Sequence, residues 1–341
     1  MRRLVFLVLQ CCLVAWCVGS VHAGTVELPQ SGQMQCYDTT DTEIPCAGSG
    51  QDGDIRAGVA WPEPRFTVSG DCVTDNLTGL MWVKSPDSIT RQWDIALSYA
   101  NNLVLCGYDD WRLPNINELR SLVHSGYNEE SCGGVPCVYL SDWLNSKGFS
   151  NVQSTFYWSS TTFAYYLTDA WEVNMRYGIV AYFYKSESEY VWPVRGGQND
   201  SPDPIYPANI WKTGQTVSYR TGDDGDLERG VAWPNPRFID QGDGTVRDNL
   251  TGLIWLKEAD CFGMPPWGQA LSFANGLASG QCWLSDGSHA GDWRLPNREE
   301  LESLIDFSQH DPALPAGHPF SNVRSYLYEK LCLNAPTFSR G

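Results

Sequence analysis

Few stretches of this 341-residue chain carry residue types at a spacing that suggests chemistry. Trp158-Ser-Ser-Thr-Thr162 sets an indole beside four hydroxyls. Such a group can stack on a sugar and hydrogen-bond to it, or it can be a strand whose hydroxyls satisfy a buried turn. Trp171 would add apolar stacking area and Arg195 a planar basic fork. The expected ligand surface is therefore Trp158, Ser159, Thr161, Trp171 and Arg195. Asp52 and Asp54 flank a glycine, and Asp224 and Asp226 repeat the arrangement. Their carboxylates could serve Ca2+. The favoured reading is an Asp-Gly turn bonding its own backbone, with no cofactor. Gly48-Ser-Gly-Gln-Asp-Gly53 has dinucleotide-loop spacing but lacks the flanking strand and helix. His124, His289, His310 and His318 show no zinc-type spacing, and no nucleophile elbow or phosphate loop is present. An enzyme is not expected. Asn76-Leu-Thr78 and Asn249-Leu-Thr251 read as turn formers rather than glycosylation sites.

The charge of −17 excludes the basic footprint of a nucleic-acid binder and opposes docking on anionic lipid. Arg2 and Arg3, the apolar run of residues 4–19 and Val21-His-Ala23 read as a secretory signal over residues 1–23. That apolar run is shorter than the roughly 20 residues that span a bilayer, so membrane insertion is not expected. Cleavage would leave 21 basic and 40 acidic residues. Export implies an oxidising compartment (periplasm, cell surface or medium of a bacterium) and disulfides among the nine remaining cysteines.

The chain repeats itself. Gly58-Val-Ala-Trp-Pro-Glu-Pro-Arg-Phe66 recurs as Gly230-Val-Ala-Trp-Pro-Asn-Pro-Arg-Phe238. Asp75-Asn-Leu-Thr-Gly79 recurs at residues 248–252, Asp110-Trp-Arg-Leu-Pro-Asn115 at 292–297 and Phe149-Ser-Asn-Val152 at 320–323. Two copies of this length make a domain pair, not a solenoid. The expected divisions are 24–197, a Pro-rich linker 198–210, and 211–341. Beyond Tyr328 the second copy resembles nothing in the first, which reads as a truncated or frame-shifted end. The second copy lacks both segments that hold Cys36 with Cys46 and Cys132 with Cys137. Joint loss favours those two pairs, leaving Cys72–Cys106 and Cys261–Cys282, with Cys332 odd.

The elements that must position these groups follow from periodicity. Trp93, Ala96, Leu97 and Ala100 predict a helix over 91–103, repeated by Trp267, Ala270, Leu271 and Ala274. Asn115 with Glu118, and Asn297 with Glu300, predict capping boxes. Trp171, Val173 and Met175 alternate with polar residues as in a half-buried strand. Each copy is therefore α+β, with its ends paired in one sheet.

The ordered string Asp-Asn-Leu-Thr-Gly-Leu-Met-Trp82, Trp93-x-x-Ala-Leu97, Asp110-Trp-Arg-Leu-Pro-Asn-x-x-Glu-Leu119, Tyr157-Trp-Ser-Ser-Thr-Thr162 and Val194-Arg-Gly-Gly197 resembles the Lcl C-terminal domain family. The resemblance covers 31–197 and, in part, 213–328. It implies a C-type-lectin-like fold, duplicated with a truncated second copy. The fold it implies is similar to that of formylglycine-generating enzymes, whose blocks Arg112-Leu-Pro114, Glu118 and Arg195-Gly-Gly197 echo. Residues 177–197 hold none of the cysteines that activity requires, and the Glu-Pro-Asn and Trp-Asn-Asp calcium motifs of sugar-binding lectins are missing. The resemblance implies a secreted adhesion module whose partner is an extracellular glycan or protein, with room for a homo-oligomer. The rival readings are an enzyme of the formylglycine-generating type and a structural envelope module.

Overall fold

The repeated motifs are folding devices first. In the computed structural model, which describes residues 24–127 and 138–324, Asp75 is buried. Its carboxylate accepts from the Leu77 amide at 3.0 Å, the Thr78 hydroxyl at 3.1 Å and the Arg65 guanidinium at 3.1 Å. Asp248 gathers Leu250, Thr251 and Arg237 in the same way. The Asp-Asn-Leu-Thr-Gly turn is thus pinned by the arginine of the Pro-Arg-Phe block, and a buried carboxylate is compensated on every side.

The first copy starts with a small hairpin of β1 (Cys36–Tyr37) and β2 (Glu43–Ile44), followed by the short helix α1 (Asp52–Ile55). Strands β3 (Phe66–Ser69), β4 (Cys72–Asp75) and β5 (Leu80–Val83) form an antiparallel meander. Helices α2 (Trp93–Asn101), α3 (Ile116–Arg120) and α4 (Leu140–Ser146) follow. A second antiparallel sheet holds β6 (Phe156–Thr162), β7 (Asp169–Asn174) and β8 (Val180–Tyr184). Strand β9 (Val194–Gly196) returns to pair with β5, so the first sheet reads β3-β4-β5-β9. The second copy contributes β10 (Asn199–Asp200), α5 (Asp224–Leu227), β11 (Gly230–Val231), β12 (Phe238–Asp240), β13 (Thr245–Asp248), β14 (Ile254–Leu256), α6 (Trp267–Gly276) and α7 (Arg298–Ser303). The molecule is mixed α and β with mostly small antiparallel sheets, one parallel pair of β10 with β11, and few helices.

Sequence expectations hold closely for the helices. α2 buries Trp93, Ala96, Leu97 and Ala100, and both capping boxes form. Trp192 sits at the centre of the first core, against Trp82, Phe149 and Tyr157 at 5.0–5.6 Å between ring centroids. Its indole donates to the Val83 carbonyl at 2.8 Å. Such a ring contributes burial and edge-to-face geometry together.

The two copies interlock. Asn115, the α3 cap, donates its side-chain amide to the Arg229 carbonyl of the second copy at 3.1 Å. Asn297, the α7 cap, donates to the Ala57 carbonyl of the first at 3.1 Å. Each copy's Asp-Gly-Asp segment therefore lies over the other copy's capped helix. Within each copy, Gly58 and Gly230 follow these segments at positive φ and lie close to backbone of the copy's own start, since a Cβ there would stand 2.6–2.7 Å from residues 29 and 211–212. The core runs through as well: Ile210 and Phe307 belong to the same cluster as Trp82 and Trp192. Arg120 of α3 pairs with Glu302 of α7 across the junction. The segment expected to be a linker is held in place, with Gln198 and Ala208 bonded to Thr78 and Leu77.

Candidate functional site

The five residues expected to form a ligand surface do not form one. Trp158 is fully buried against α2, and its indole donates to the Arg91 carbonyl at 2.8 Å. Ser159 donates to the Trp171 carbonyl at 2.7 Å. Thr161 accepts from the Ile116 amide and donates to Asp224 at 2.7 Å. Trp171 lies in the core against Phe163 and Phe307. Only Arg195 is partly open, and it is already bidentate to Asp110 at 2.6 and 3.0 Å and stacked on Tyr108. The cause is that β6 is covered on both faces, by α2 and α3 on one side and the core on the other. The Ser159 and Thr161 hydroxyls are spent on buried backbone and on Asp224.

The paired aspartates divide their work. Asp54 and Asp226 accept from the amides of Gly50 at 3.1 Å and Gly222 at 2.7 Å, closing their own turns. Asp52 and Asp224 reach outward. Asp52 accepts from Ser31 beside the α7 cap, while Asp224 accepts from both Thr161 and Thr213 at 2.7 Å. Burial lifts the Asp224 carboxyl to about 7, against the lowering effect of Thr213 and Thr161. Burial also raises Asp52. Among the described residues, no three His, Cys, Asp or Glu side chains converge as a metal site requires. Cys36–Cys46, Cys72–Cys106 and Cys261–Cys282 are bonded as expected. Cys132, Cys137 and Cys332 lie outside the described residues.

A surface that sequence reasoning missed lies at one end of the second sheet. The β6–β7 turn exposes Tyr165, Tyr166 and Leu167, and the adjacent end of β8 exposes Phe183 and Tyr184, the last at 59%. Register sets the turn beside this strand end, with Asp169 opposite Tyr184 and Ala170 opposite Phe183 on alternate faces of the sheet, and the Lys185 amide bonds the Thr168 carbonyl at 2.8 Å. Phe163 stacks on Tyr182 at 4.2 Å beneath them. Lys185 borders the rim. Its ammonium donates to Thr162 Oγ1 at 2.7 Å and the Leu167 carbonyl at 3.0 Å, and lies 4.1 Å from the Trp93 ring and 5.2 Å from that of exposed Tyr219. Partial burial lowers its pKa to about 8. Tyr165 packs edge-on against His310 at 5.0 Å and against Tyr166 at 4.5 Å. Partly exposed rings of this kind suit the stacking and polar contacts of a sugar or an extended peptide. The available signal was Phe163-Ala-Tyr-Tyr-Leu167, an aromatic run at a turn, where aromatics need a reason.

The sequence profile of the Lcl C-terminal domain matches residues 71–195 and 244–336, more than half of the chain. The chain belongs to the Lcl C-terminal domain family. No curated protein matches it. The first Lcl C-terminal match runs from the residue before β4 into β9 and contains the whole aromatic rim. The second starts just before β13 and is shorter. Among its described residues the second Lcl C-terminal unit has no counterpart of β6, β7, β8 or β9. The exchanged segments around Asp52 and Asp224 fall outside both matches.

Proposed function

We propose that this chain is an exported, non-catalytic binding module with a C-type-lectin-like fold, which holds an extracellular glycan or protein on the aromatic rim of its first copy. The observation that carries this reading is the exposure of Tyr165, Leu167, Phe183 and Tyr184 at one sheet end, where Lys185 bonds the Leu167 carbonyl. Export is supported by the apolar stretch of residues 4–19 and by three disulfides, which persist in oxidising compartments. Among the described residues no helix is long and apolar enough to cross a membrane. A rigid aromatic surface loses little side-chain entropy on binding, which favours recognition.

The test is an array of bacterial and host polysaccharides and matrix proteins probed with the full chain and with Tyr165→Ala/Tyr184→Ala. Retention of the wild type on a defined class, with at least tenfold weaker retention of the variant at unchanged melting temperature, is expected. Equal retention of both proteins would move the site elsewhere.

A further inference from the structure

In the first copy β9 completes a sheet whose counterpart in the second copy holds no such strand among the described residues. Val194, Arg195 and Gly196 lie opposite Trp82, Met81 and Leu80 in antiparallel register. The Val83 amide donates to the Pro193 carbonyl at 3.2 Å, and the Arg195 fork clasps Asp110. The second copy presents the same acceptor. β14 pairs with β13 along one side, in the register that β5 keeps with β4. Along the other side no strand lies among the described residues.

The side chains around that edge are more exposed than those at the corresponding first-copy positions. Ile254, the counterpart of Met81, is 44% exposed. Leu253, Trp255, Trp267 and Leu295 are half-buried, whereas their counterparts Leu80, Trp82, Trp93 and Leu113 are buried. Asp292, the counterpart of Asp110, is exposed; its carboxylate accepts its own loop's His289 amide at 2.8 Å and lies 3.7 Å from the His289 Nδ1. An edge strand with an apolar floor and an exposed carboxylate at one position is a template with both shape and charge specified.

We propose that the edge of β14 that no described strand covers is an acceptor for an extended segment of another polypeptide, added antiparallel as β9 adds to β5. The occupant is apolar and basic. It carries an aliphatic residue opposite Trp255, an arginine opposite Ile254 that reaches Asp292, and glycine opposite Leu253. Backbone hydrogen bonds to the outward amides supply affinity, and Asp292 supplies register. The chain's charge of −17 draws such a cationic segment. This surface is independent of the aromatic rim and stands whether or not the rim binds a glycan.

The experiment is fluorescence anisotropy of a labelled peptide with the sequence of residues 190–197, Tyr-Val-Trp-Pro-Val-Arg-Gly-Gly, titrated with the full chain. Saturable binding is expected. It should weaken at least tenfold with Ile254→Pro, which removes an outward amide while an edge position tolerates the ring. It should weaken similarly when the peptide carries Arg195→Glu, and recover when that peptide meets Asp292→Arg. Absence of saturable binding would overturn the proposal, as would binding indifferent to Ile254→Pro and to the charge swap. Binding seen only after removal of residues 325–341 would also overturn it, because the edge would then belong to the chain's own C-terminal residues.

Discussion

Trp158 shows how a residue can be read correctly for its chemistry and wrongly for its place. An indole beside hydroxyls does need partners, and here they are the Arg91 carbonyl, the Trp171 carbonyl, the Ile116 amide and Asp224. Nothing in Tyr-Trp-Ser-Ser-Thr-Thr tells a strand covered on both faces from one with a wet face, because its hydroxyls suit either. Trp158→Ala should therefore destabilise the fold by about 3–5 kcal/mol, the cost of a large aromatic cavity. Chemical denaturation would check this, and a loss under 1 kcal/mol would place the ring outside the core. Glu172 gives a second prediction. It is buried on β7, its Oε2 has no hydrogen-bond partner, and burial with Glu189 nearby raises its carboxyl to about 8. A carboxyl raised on folding holds its proton longer than in the unfolded chain. Its stabilising share is full below its ordinary value near 4.5 and is lost as pH rises through about 8. Asp224 acts in the same direction between about 4 and 7. Glu172→Gln should flatten this fall and stabilise the protein at pH 8 by roughly 1–3 kcal/mol. Urea unfolding at pH 5 and pH 8 measures it, and an unchanged pH slope would refute the assignment.

At the scale of elements, the sequence was most legible where local pattern decides. α2 and both capping boxes follow from spacing, because helix faces and caps are local constraints, and the three disulfides follow from comparing which cysteines the two copies share. The same apolar pattern has different consequences in the two copies. α2 buries four residues under β6, whereas α6 buries only Leu271 of its equivalent set. Helical stability comes mainly from such packing rather than from propensity. Amides of α6 should exchange with deuterium at least tenfold faster than those of α2. Equal protection of the two helices in the isolated chain would mean that the α6 face is covered.

The whole molecule was the least legible scale, for a physical reason. When a motif occurs twice, the sequence cannot say whether Asp-Gly-Asp packs on its own copy's helix or on the other's, since both offer the same Asn cap. The structure crosses them, through Asn115 to Arg229 and Asn297 to Ala57. A fragment of residues 24–197 would leave Asn115 Nδ2 and Thr161 without those partners. Extending it to residue 237 should restore about 1–3 kcal/mol. Thermal melting of the two fragments compares them, and identical transitions would argue against the interlock. This body holds the aromatic rim at the far end of a sheet whose other residues are committed to packing. The rim is where the account places recognition. Deuterium exchange of the full chain, with and without the polymer class retained on the array, tests that most directly. Ligand-dependent protection centred on residues 163–168 and 181–185 is predicted. Protection confined to the second copy, or to the β3-β4-β5-β9 sheet, would contradict it.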